Sequence, residues 1–107
     1  MDGKTITAII KQPGERFGHT AKVLDELETY QNTVGGYIET LPVEDTGALI
    51  ICGEEGKLAR MPFNIYYQRG DDTIVGTIMV VGTDGDEFAD CPITLGEWKQ
   101  ILRRWGN

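Results

Sequence analysis

Val34-Gly35-Gly36-Tyr37-Ile38-Glu39 is the stretch on which the fold turns, because a helical pattern stops there and a strand pattern begins. Upstream, Leu24, Leu27, Tyr30, Gln31 and Val34 fall on one helical stripe. Downstream, Tyr37 to Leu41 is dense in residues that suit a pleated surface, and Pro42 closes the run. Gly35 is expected to take the left-handed conformation that ends a helix, and Gly36 lets the chain turn back tightly. Gly35, Gly36 and Tyr37 therefore read as a structural pivot.

Working back from the pivot, Asp25 is placed to cap the helix, with Glu28 three positions on completing a capping-box pattern. Thr5 to Lys11 is a first strand ended by Gln12-Pro13-Gly14, and Arg16 to Val23 reads as a second strand paired with it in a hairpin. Working forward, Leu49 to Cys52 is an apolar run without alternation, which suits a central strand covered on both faces. Gly53 to Gly56 is a turn, with Lys57-Leu58 expected to start the returning strand of a hairpin. Arg60 to Tyr67 has neither period and reads as an irregular segment packed on the core. Thr73 to Val81 is the longest strand signal, and Gly76 inside it suggests a bulge or a close backbone approach.

Gly82 to Pro92 forms an acidic loop, after which Thr94 and Glu97 make a second capping box. The last helix carries Leu95, Trp98, Ile101, Leu102 and Trp105 on one stripe, with Lys99, Arg103 and Arg104 in its C-terminal half. The order β-β-α-β-β-(β)-β-α predicts a single α+β domain over residues 1–107. Its sheet is small and mostly antiparallel, with two helices packed on one face.

A length of 107 residues with 40% hydrophobic and 25% charged content is ordinary for one soluble globular domain. The apolar runs are too short to span a bilayer, no signal peptide is read, and two cysteines give no disulfide framework, so a cytoplasmic location is expected. The formal charge of −7, from 17 acidic and 10 scattered basic residues, argues against direct nucleic-acid binding.

Catalytic chemistry finds little support. The chain has no serine, which removes a serine nucleophile. Cys52 and Cys91 would each need His19, the only histidine, and no metal-ligand spacing links the three. Asp84-Gly85-Asp86-Glu87 is a poor calcium loop because Phe88 stands where an oxygen ligand is needed. Gly53 to Gly56 lacks the spaced Gly-Lys-Ser/Thr of a phosphate loop. No cofactor and no metal site is expected, and the protein is read as a binder, not an enzyme.

Two groups of residues remain as a candidate interaction surface. Arg60, Phe63, Tyr66, Tyr67 and Arg69 combine aromatics and arginines as protein interfaces do, or else fill the edge of the core. Asp84, Asp86, Glu87 and Asp90 form the densest acidic group, or else a solvated loop.

Val34 to Glu39, Glu55-Gly56-Lys57-Leu58, Pro62 with Asn64, Ile74 to Thr77 and Val80-Val81-Gly82 together resemble the blocks of the domain of unknown function 3846 family. The resemblance spans Thr5 to Gly82, with the blocks in order and at compatible spacing. It implies a small protein of phages and mobile elements of Gram-positive bacteria, and it brings no catalytic residue to transfer. The expected role is an acidic module that engages an unidentified host protein, in its sharpest form by mimicking nucleic acid. The alternative is a small-molecule or nucleotide binder, or an enzyme, with a pocket beside the Gly-Gly pivot.

Overall fold

The computed structural model describes residues 3–107. Its elements are β1 (Thr5–Lys11), β2 (His19–Leu24), α1 (Leu27–Val34), β3 (Ile38–Val43), β4 (Ala48–Gly53), β5 (Phe63–Tyr67), β6 (Asp72–Val75), β7 (Ile78–Asp84), β8 (Glu87–Ala89) and α2 (Leu95–Arg104). The main sheet runs β2-β1-β7-β4-β3, with β8 extending from β7, and β5 and β6 pair separately. Every pairing is antiparallel. The α+β class and the mostly antiparallel sheet are as expected.

The placement of the helices is a correction: they lie on opposite faces. Strand side chains alternate between two cores. Ile9, Ile50, Ile78 and Val80 face Trp98, Ile101, Leu102 and Trp105 of α2, together with Ile65, Tyr67 and Ile74 of the β5-β6 hairpin. Ile6, Ala8, Ile51, Met79 and Val81 face Tyr30 and Val34 of α1. The unalternating runs in β4 and β7 already required cover on both faces, so one helix per face satisfies them.

Local details also differ. The residue capping α1 is Glu26, with no side-chain hydrogen bond, while Asp25 instead accepts from the Tyr30 hydroxyl. Burial of Tyr30 makes that bond the stronger claim on the carboxylate. The β1-β2 hairpin is closed by the longer loop 12–18, not a tight Pro-Gly turn. Pro42 lies inside β3, tolerated because β3 is an edge strand.

Phe63–Tyr67 is a strand, not an irregular segment, and Lys57-Leu58 begins none. The long run from Thr73 is split at Gly76, whose φ of 76° is left-handed, so β6 and β7 belong to different sheets. The second capping box is present: Glu97 N–H donates to Thr94 Oγ1 at 3.1 Å, and Thr94 N–H to Glu97 Oε1 at 2.9 Å.

One polar group is built into the α2 side. Lys11 is only 4% exposed, and its Nζ donates to Asn64 Oδ1 at 2.6 Å. Asn64 Nδ2 donates in turn to the carbonyls of Lys11 at 2.8 Å and Gly76 at 2.7 Å, fixing the β5-β6 hairpin beneath β1. No helix among the described residues is long and apolar enough to cross a membrane.

Candidate functional site

The pivot forms as the sequence predicts, and it borders a cleft. Val34 ends α1, and Gly35 has φ 86°, with the N–H groups of Gly35 and Gly36 both donating to the Gln31 carbonyl at 2.8 and 2.9 Å. The chain then enters β3 and pairs Ile38 with Gly53. Met61 closes the back. A Cβ at Gly35 would lie 2.9 Å from its methyl carbon, and one at Gly76 only 2.7 Å from its sulfur.

In front of this floor lies a cleft of about 680 Å³, lined by Gln31, Asn32, Tyr37, Glu55, Leu58 and Met61 among others. That volume is within the range of about 300–1,000 Å³ usual for ligand sites. Gly53, Glu55 and Leu58 also line a second cleft of about 270 Å³, which continues past Glu39, Lys57 and Tyr67 toward β6. The two clefts lie on either side of the turn after β4, whose Gly53, Glu55 and Leu58 line both, and the pair is called the trough below. Large apolar side chains stand open at its rim: Tyr37 is 70% and Leu58 83% exposed.

The lining of the trough is net acidic. Its carboxylates are Glu39, Glu54, Glu55 and Asp72, and its one cation, Lys57, is held by Asp72 at 2.6 Å. The C-terminal end of α1 carries no basic residue in its last turn, so its negative dipole end meets the first cleft uncompensated.

The expected interaction residues do not form one surface. Tyr67 is buried, and its hydroxyl donates to the Pro42 carbonyl at 2.6 Å, with its ring edge-on to Trp105. Tyr66 is half-buried, its N–H donating to Asn107 Oδ1 at 2.8 Å and its hydroxyl to Asp71. Phe63, Arg60 and Arg69 are exposed, and Arg60 sits in a left-handed turn with φ 56°.

Asp84, Asp86 and Glu87 occupy the exposed tip of the β7-β8 hairpin, on the side of α1, where Phe88 packs edge-on to Tyr30 at 5.0 Å between ring centroids. Asp90 anchors that hairpin by accepting the Thr7 N–H at 2.7 Å. The acidic tip and the aromatic segment are thus on opposite sides of the main sheet. Sequence reasoning missed Leu58 and Met61 as parts of the site. The Glu55-to-Leu58 block was visible, but which of its side chains stays open depends on the missing return strand.

The thiols are poor nucleophiles. Burial, with the Glu39 carboxylate beside it, pushes Cys52 up to about 11, and burial likewise raises Cys91. His19 Nδ1 lies 2.9 Å from Glu15 Oε2, its hydrogen-bond partner.

These features define a small α+β domain with an acidic, apolar-rimmed trough at a helix–strand pivot. The family model "Domain of unknown function (DUF3846)" matches residues 6–105, nearly the whole chain, and the protein belongs to that family. No curated protein and no solved structure matches it.

Proposed function

We propose that the protein is a binding module whose trough captures an extended, cationic segment of a partner protein. The observation that supports this most is the pairing of open apolar side chains, Tyr37 and Leu58, with a lining of carboxylates and an uncompensated helix C-terminus. Lys or Arg side chains in the segment would meet Glu55 and the last carbonyls of α1, while Tyr37 offers a ring face for a cation. Neighbouring apolar residues would cover Leu58. In the mobile-element setting that the family resemblance suggests, the partner is a host protein.

This keeps the role of acidic interaction module and moves its surface. A nucleic-acid-mimicking display has less behind it, because Asp25, Glu44, Asp71, Asp72 and Asp90 each hold a structural partner at separate turns. The second cleft favours a chain over a small molecule, since a compact ligand would fill only the first.

The test is selection from a random peptide library on the immobilised protein, with the Tyr37→Ala/Leu58→Ser variant as counter-selection. Enriched peptides should carry Lys or Arg beside an apolar residue and should fail to bind the variant. Peptides that bind parent and variant equally would refute the reading.

A further inference from the structure

A second charged feature lies on the other side of the molecule, where α2 meets loop 12–18. The guanidinium carbons of Arg16 and Arg103 stand 5.1 and 5.0 Å from the centroid of the Phe17 ring, and the Lys99 ammonium 5.5 Å. Three cations therefore converge on one aromatic ring, in a chain where acidic residues outnumber basic ones by 17 to 10. Among the described residues none of the three has a salt-bridge partner. The nearby carboxylates are engaged elsewhere: Glu15 by the Gln12 N–H and His19, Glu97 by the Thr94 N–H, and Glu44 by Arg104 and Trp105.

The backbone that carries Phe17 is held in place. Trp98 Nε1–H donates to the Phe17 carbonyl at 2.9 Å, and Trp98 is fully buried. Gly18, with φ 102°, lets the chain pass so close to β1 that a Cβ there would lie 2.6 Å from the Ile10 carbonyl oxygen. Like charges gathered around one ring, at 5.0 to 5.5 Å from its centroid, repel, and the electron-rich ring offsets only part of that repulsion. An anion placed among them removes the rest.

From this geometry we infer an anion-binding site at Phe17, formed by Arg16, Lys99 and Arg103, whose ligand is a compact phosphate monoester. Two planar guanidinium forks match phosphate oxygens, and the ammonium adds a point charge. A compact ligand is favoured over a long polyanion because the net charge of −7 repels phosphates lying beyond the cluster. The site is independent of the trough and stands whether or not the trough binds a peptide.

Calorimetric titration tests it, with inorganic phosphate, adenosine 5′-monophosphate, succinate and a single-stranded oligothymidylate as probes. Phosphate and the nucleotide should both bind at low salt, and Arg16→Gln with Arg103→Gln should weaken them about tenfold or more. Both arginines are exposed, so circular dichroism should show the double variant folded; if it is not, Lys99→Gln alone should still weaken phosphate binding. No phosphate binding by the parent, or binding unchanged by these substitutions, overturns the site. Succinate binding as well as phosphate overturns the phosphate assignment, and oligothymidylate binding more tightly than the nucleotide overturns the compact ligand.

Discussion

The Trp98 indole Nε1–H donates to the Phe17 carbonyl at 2.9 Å, joining residues 81 positions apart and tying α2 to the β1-β2 loop. Trp98 is wholly buried and packs edge-on to Trp105, with 6.0 Å between ring centroids. Trp98→Ala removes that packing and leaves the carbonyl without its donor, so it should destabilise by about 3–5 kcal/mol in urea unfolding. Trp98→Phe keeps much of the volume and should cost less than half as much.

Gly35→Val places a β-branched residue at φ 86° and drives its Cβ against Met61. The variant should lose about 1 kcal/mol or more, read from the same denaturation midpoint. A midpoint equal to the parent's would mean that the turn can be made another way.

Much of the fold could be read in the sequence because its punctuation is local. The Gly35-Gly36 stop, the Thr94-Glu97 box and the β1 and β4 runs each depend on neighbours within a few residues. What failed depends on distant partners. Asp25 has a good capping pattern, yet the decisive contact is with Tyr30, a residue that is buried only when α1 docks on the sheet. Phe63–Tyr67 has no clear period because one edge of the strand pairs with β6 while Asn64 turns inward to Lys11. The glycine pivot itself is legible in the sequence; the acidic lining of the cleft beside it and its Leu58 rim depend on the turn that replaces the expected hairpin.

The Lys11-Asn64 pair should be the costliest polar contact to break. Asn64→Leu leaves the Lys11 and Gly76 carbonyls without their donor and the buried ammonium with only the long 3.4 Å bond to the residue-64 carbonyl, and should cost about 3 kcal/mol. Adding Lys11→Met should recover part of that loss, because the unpaired charge is then gone. A double variant no more stable than Asn64→Leu would contradict the pairing.

Alkaline pH gives a separate handle. The Cys52 thiol is raised from 9.0 to about 11, so the folded state keeps a proton that the unfolded chain loses. Its contribution is full below pH 9.0 and is lost as pH rises through about 11, a change on the order of 2 kcal/mol. Lys11, lowered by burial, acts in the opposite direction, its unfavourable charge being relieved as pH rises toward 10.5. Comparing parent with Cys52→Ala separates the two: the variant's melting temperature should fall less over this window.

The central claim is that the trough at the pivot takes a cationic, extended chain, and an amide-resolved NMR titration tests it most directly. Isotope-labelled protein would be titrated with basic and acidic peptide pools of matched apolar content. The account predicts shifts with the basic pool only, centred on Gln31, Gly35, Gly36, Tyr37, Gly53 and Gly56. They should weaken with added salt and vanish in Tyr37→Ala/Leu58→Ser while the fold is retained. Shifts centred instead on Asp84 to Asp90 or on Phe63 to Tyr67, or an equal response to the acidic pool, would contradict it.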